Sequence, residues 1–191
     1  RMEAFLASLS LVALAEMGDK TQLLAILLAA RLRKPVPIIA GIFAATLANH
    51  FLAALVGQQV AGLLDSPAFR FAIAGGFIVM GLWALIPDKF DENDEPKRRG
   101  AGVFLTTLIA FFLVEMGDKT QIATVAMGAH YQNVVAVTAG TTLGMMVANV
   151  PAVLLGHKIE RILPIRALQI GAALMFAGLG IWIGAQTAGW V

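Results

Sequence analysis

Apolar residues fill the chain in six long runs, Met2 to Ala30, Val36 to Leu64, Pro67 to Ile86, Ala101 to Ala129, Asn133 to Gly156 and Pro164 to Val191, separated by proline, charge or small polar clusters. A hydrocarbon layer about 30 Å thick takes about 20 helical residues to cross, so every run is long enough for a transmembrane helix. Pro35, Pro37, Pro67 and Pro164 stand at or near the starts of runs, where a missing N–H costs a helix little. The pattern predicts an all-α integral membrane protein of six transmembrane helices, the longest free to tilt or break.

Composition agrees with this class. Hydrophobic residues make up 59% of the 191 positions, charged residues 14%, and the mean hydropathy is +0.80, far from the balance of a soluble domain. A net charge of +2 and a pI near 9.2 would allow nucleic acid as a partner. The basic residues lie between apolar runs instead of along one face, however, so no nucleic-acid role follows and the partners are lipid and small ions. The chain has no cysteine, which excludes disulfides, thiolate ligands and Cys nucleophiles. The first run resembles a signal sequence, but it carries a motif matched internally and is kept as a mature helix.

Loops one, three and five hold Arg31, Arg33, Lys34, Lys89, Lys97, Arg98, Arg99, Lys158, Arg161 and Arg166, whereas the opposite side has Arg1 and Arg70. Cytoplasmic loops are enriched in Lys and Arg, so these three loops are expected inside and both termini outside. The hydrophilic stretch 88–100 reads as a solvated cytoplasmic linker. It divides the chain into a first three-helix repeat, 1–87, and a second, 101–191. Ala40-Gly41 answers Ala139-Gly140, Ala48-Asn49 answers Ala148-Asn149 with one residue of slippage, and Gly81-Leu82 answers Gly178-Leu179. An odd number of spans per half inverts the second half, the architecture of many secondary transporters, whose sites lie near the midplane between repeats. The first and fourth spans are expected to meet there antiparallel.

The strongest internal match is Glu-Met-Gly-Asp-Lys-Thr-Gln, at Glu16 to Gln22 and again at Glu115 to Gln121, each copy inside an apolar run. Charges in hydrocarbon cost roughly 2.5 to 3.5 kcal/mol each on insertion scales and mark ion or substrate paths. On a regular helix Glu16, Asp19 and Lys20 share one face, as do Glu115, Asp118 and Lys119. Gly18 and Gly117 permit a local break that frees backbone carbonyls. Four carboxylates against two lysines leave a net charge of −2, which one divalent cation neutralises. The oxygen set, without Cys or His in either motif, favours Mn²⁺, Ca²⁺ or Mg²⁺ over Zn²⁺ or Cu⁺. Gln22, Gln121, Thr21 and Thr120 offer further oxygens, and Lys20 and Lys119 are internal counter-ions. Once the metal leaves, crowded carboxylates attract protons, so metal and protons compete, which together with alternating access suffices for antiport.

Asn49 and Asn149 are placed in the same cavity or in hydrogen bonds between helices. His50 answers Val150 and so falls outside any symmetric ion shell; it is either a proton relay or a packed, hydrogen-bonded side chain. His130 and His157 fall at span ends. Gly75, Gly76, Gly81, Gly171, Gly178, Gly180 and Gly184 are read as close-packing positions, and Trp83, Trp182 and Trp190 as interfacial anchors. Simple pairing of Glu with Lys to lock helices would leave two carboxylates uncompensated. An intramembrane metal-dependent phosphatase would require Arg clamps and a nucleophile that the motifs lack. A passive cation channel would use rings of residues from several subunits or a long filter.

At these residues the chain resembles the cation/proton antiporter family whose signature, Glu-x-Gly-Asp-(Lys or Arg)-(Thr or Ser), occurs twice, and which includes Golgi manganese and calcium transporters and bacterial manganese exporters within the lysine-exporter superfamily. Both copies match, and the resemblance covers the whole chain. It implies exchange of Mn²⁺ or Ca²⁺ for H⁺, with Glu16, Asp19, Glu115 and Asp118 as metal and proton sites and no cofactor beyond the transported ion. The small size, short linker and lack of an organellar leader fit a bacterial inner-membrane protein that exports manganese.

Overall fold

The computed structural model describes residues 1–62, 66–86, 102–156, 158 and 164–190. These form eight α-helices and no strand: α1 (Met2–Glu16), α2 (Lys20–Leu32), α3 (Pro35–Val60), α4 (Pro67–Ala84), α5 (Val103–Glu115), α6 (Lys119–Tyr131), α7 (Val134–Leu155) and α8 (Ile165–Ala188). The expected linker, 88–100, lies outside the described residues, as do Lys89, Arg161 and His157.

Helices α3, α4, α7 and α8 are long and apolar enough to cross a membrane. The first and fourth apolar runs are not single helices. Each is a pair of short ones: α1 has 15 residues and α2, α5 and α6 have 13 each, about 20 Å of helix apiece at 1.5 Å per residue. A face shared along one regular helix by Glu, Asp and Lys is therefore not what forms. The glutamate closes one helix and the aspartate precedes the next. Proline positions explain two of the helix starts, since α3 and α4 carry Pro in their first turn. The α2 and α6 helices both end on a left-handed residue, Arg33 at φ 51° and Gln132 at φ 48°, and a new helix starts within two residues of each.

Packing repeats the internal match of the sequence. Helix α1 lies against α7 as α5 lies against α3; α2 touches α7 as α6 touches α3. The half-helices meet crosswise, α1 with α6 and α2 with α5, while α3 packs on α7 and α4 on α8. Glycines set the closest approaches. A Cβ on Gly41 would stand 2.8 Å from the Phe104 carbonyl oxygen, and one on its counterpart Gly140 would stand 2.4 Å from that of Phe5. At the α3–α6 contact, Gly57 and Gly128 interlock, with a Cβ on Gly57 2.1 Å from the Val125 oxygen. Gly57→Val should therefore lower stability by about 1 to 3 kcal/mol through overpacking, read as a fall in the thermal midpoint of the detergent-purified protein.

Of the glycines read from sequence as packing positions, Gly81 and Gly180 do lie close to backbone: a Cβ on them would stand 2.9 Å from the Ala173 oxygen and 2.6 Å from that of Ala74. Gly75, Gly76 and Gly178 face open space, and Gly171 and Gly184 have only ordinary contacts. Motif-free glycines in apolar runs carry no sign of which face they occupy, so sequence does not separate these cases.

The distribution of side chains is inverted relative to a water-soluble domain. Phe43, Phe51, Val79, Leu82, Leu154, Leu174 and Ile181 are exposed, whereas Glu16, Asp19, His50, Glu115 and Asp118 are buried. Exposed apolar side chains of this kind suit bilayer lipid, and the second set is costly to bury within a membrane. Trp83 is the penultimate residue of α4 and Trp190 follows α8, positions suited to the interface; Trp182 lies within α8.

Candidate functional site

The break in each apolar run follows from the motif residue by residue. Glu16 is the last residue of α1, Met17 takes φ −68°, ψ 114°, Gly18 takes φ 85°, and the Asp19 N–H donates to the Glu16 carbonyl at 3.0 Å. The second copy repeats this with Met116 at φ −64°, ψ 119°, Gly117 at φ 77° and the Asp118 N–H on the Glu115 carbonyl at 3.1 Å. Those angles and that bond are a type II turn, which needs positive φ at its third position and hence glycine. Asp19 and Asp118 then occupy the N-cap positions of α2 and α6, where aspartate is favoured.

The last two motif residues brace the turn. Gln22 accepts the Gly18 N–H at 2.8 Å, and Gln121 accepts the Gly117 N–H at 2.7 Å. Their amide groups reach the neighbouring long helix, Gln22 to the Ala148 carbonyl at 2.9 Å and Gln121 to the Asn49 side-chain oxygen at 3.5 Å. The Thr21 hydroxyl donates to Glu16 Oε2, while the Thr120 hydroxyl lies 3.4 Å from Glu115 Oε2 and 3.3 Å from Asp118 Oδ2. Sequence alone assigned these threonines and glutamines as extra oxygens. Their contacts in the structure are with the carboxylates and the turn backbone.

Across the centre the two motifs interlock. Lys20 Nζ is 3.1 Å from Asp118 Oδ1, and Lys119 Nζ is 2.5 Å from Asp19 Oδ1, so each lysine serves the other copy's aspartate. The pairs differ in surroundings, Lys20 being 25% exposed and Lys119 5%. Glu16, Asp19 and Asp118 bring one carboxylate oxygen each within 4.8 Å of one another, a spacing that could hold a metal ion. Glu115 is not in that trio. It lies beside His50, whose Nε2 is 3.6 Å from Glu115 Oε2, both side chains being fully buried.

Asn49 and Asn149 take different roles. Asn49 donates to the Phe112 carbonyl at 3.1 Å and ties α3 to α5, whereas Asn149 donates to the Met145 carbonyl of its own helix at 3.0 Å. Thr46, one turn before His50 on α3, is a buried side chain that sequence did not single out; its hydroxyl has no hydrogen-bond partner among the described residues. Its i, i+4 spacing from His50 was the available signal.

Comparison with known proteins agrees with the twin motifs. The family model for the divalent cation/proton antiporter GDT1 matches residues 4–92 and 103–190. A Vibrio cholerae protein named "Putative manganese exporter" is 49% identical over 180 residues, covering 92% of this chain and 89% of its own. A GDT1-like protein of Synechocystis is 28% identical, covering 92% and 93%, and GDT1-like protein 3 of Oryza sativa subsp. indica is 27% identical, covering 94% and 72%. No solved structure matches. These relatives make the chain a membrane transporter rather than an enzyme. A family model spanning both motif copies, and a relative of such identity along nearly the whole chain, establish that the protein belongs to the divalent cation/proton antiporter family GDT1.

Proposed function

We propose that this protein exchanges a divalent cation, Mn²⁺ foremost and Ca²⁺ as the second candidate, for protons, and exports manganese from the cytoplasm across a bacterial inner membrane. The observation that carries this is the trio Glu16, Asp19 and Asp118, drawn from both motif copies to one buried point. The C-terminal ends of α1 and α5 meet the N-terminal ends of α2 and α6 at the two motifs, so the helix dipoles there offset one another and the attraction for a cation rests on the carboxylates. The name of the Vibrio relative supports manganese as cargo.

In this scheme the chain crosses the membrane six times, in two inverted halves, 1–87 and 101–191, joined by a cytoplasmic linker at 88–100, with both termini outside. The exchange-symmetric packing supports the halves, and the loop lysines and arginines support the orientation. Glu16, Asp19 and Asp118 are the principal ligands, with Glu115 the fourth acid. Lys20 and Lys119 neutralise the aspartates until a divalent ion displaces them, and the carboxylates take up protons when the ion departs. Gln22, Gln121, Thr21 and Thr120 hold the acids in position.

Proteoliposomes reporting Mn²⁺ entry and internal pH together test this. Metal movement obligatorily opposed by proton movement is the expected result, with Ca²⁺ competing. Metal flux without proton flux would replace the antiporter with a channel or uniporter, and no flux of either would end the transport scheme.

A further inference from the structure

The four motif acids follow the internal repeat in sequence, but the long helices beside them do not. Where α3 presents His50, the corresponding position of α7 is Val150. His50 is wholly buried, and neither ring nitrogen has a hydrogen-bond partner among the described residues. An imidazole taken out of water without a partner is costly, and such groups in native proteins call for a cause. Asn49 and Gln22, by contrast, are committed, to the Phe112 and Ala148 carbonyls. The separation of 3.6 Å between His50 Nε2 and Glu115 Oε2 is too long for a good hydrogen bond. It suits two donors flanking one ion, because ligand atoms about 2.0 to 2.6 Å from a divalent metal stand about 3 to 4 Å apart around it.

Nitrogen changes what such a shell accepts. Ca²⁺ and Mg²⁺ are hard ions served by oxygen, whereas first-row transition ions also accept imidazole. Resting on the proposal that this site binds a divalent cation, we infer that His50, which with Glu115 stands beside the carboxylate trio and outside it, is an asymmetric nitrogen ligand that makes the site prefer a transition-metal ion such as Mn²⁺ over Ca²⁺ and Mg²⁺. The carboxylate trio supplies the charge for any divalent ion, and His50 supplies the discrimination. The valine in the matching position leaves the selectivity in one half of the repeat.

Pulsed electron paramagnetic resonance of Mn²⁺ bound to the purified full-length protein tests the inference directly. The expected spectrum contains nitrogen hyperfine coupling that converts to the ¹⁵N pattern when only histidine is ¹⁵N-labelled, and that vanishes in His50→Val. The Ca²⁺ concentration that displaces half of the Mn²⁺ should fall by about tenfold in His50→Val and His50→Asn, the latter replacing nitrogen with an amide oxygen. Bound Mn²⁺ without histidine coupling overturns the role of His50 while leaving the cation site standing, as does an unchanged Mn²⁺ to Ca²⁺ ratio in the variants. Failure of the wild-type protein to bind Mn²⁺ at all overturns both. If neither variant folds, the labelled wild-type protein decides alone.

Discussion

Glu16→Gln is expected to reduce Mn²⁺-coupled proton movement by about 100-fold or more, because even changing the outer partners of metal ligands costs about 10- to 100-fold. The side chain is fully buried, one oxygen receives the Thr21 hydroxyl, and the other has no hydrogen-bond partner among the described residues. Glutamine keeps the volume and an acceptor for Thr21 but removes the charge that an entering cation meets beside Asp19 and Asp118. Glu115→Gln should stop coupled flux as severely yet leave measurable Mn²⁺ binding, since Glu115 stands outside the trio. Radioactive Mn²⁺ uptake with an entrapped pH dye reads the first effect, and a Mn²⁺ titration reads the second. Wild-type exchange in both variants would remove the acids from the mechanism. Equal loss of binding in both would place Glu115 within the principal shell.

The division between the two glutamates shows where sequence stops being informative. Identical heptads give identical local structure. The type II turn at Met17-Gly18, the N-cap at Asp19 and the brace from Gln22 recur at Met116-Gly117, Asp118 and Gln121 because each depends on contacts within seven residues. Apolar run length likewise fixed the positions of α3, α4, α7 and α8, for which crossing the bilayer is the dominant constraint. What an intramembrane glycine does in a given run is a balance between continuing the helix and forming a turn. At Gly18 it tips to a turn since Gln22 receives the N–H that the break exposes. Long-range pairing was beyond reach. Nothing local says that Lys20 answers Asp118 and not the adjacent Asp19, or that His50 faces Glu115, because these contacts join residues about a hundred or about sixty-five positions apart and depend on how the halves dock.

Lys119→Met should be the most destabilising change at the centre, and one that Mn²⁺ repairs. The lysine is 5% exposed and contacts Asp19, itself buried. Removing one partner of a buried pair leaves an uncompensated charge and costs about 3 to 5 kcal/mol. Lys20→Met should cost less, because the Lys20 side chain is 25% exposed against 5% for Lys119, and an ion pair nearer water contributes less. A divalent ion brings back the positive charge that the variant lacks. Ligand bound only to the folded state adds about 2.7 kcal/mol of stability at 100 times its dissociation constant, and with the competing Lys119 ammonium gone the variant's Asp19 should bind the ion more tightly than that of the wild type. The thermal midpoint in detergent is therefore expected to rise further with Mn²⁺ in Lys119→Met than in the unaltered protein. The double variant Asp19→Asn/Lys119→Met separates charge from packing: it should recover metal-free stability and lose most of the Mn²⁺ response. If Lys119→Met is as stable as wild type without metal, or gains nothing from Mn²⁺, the lysine is not the stand-in for the cation, and the crossed pairs are a structural lock between the two motifs.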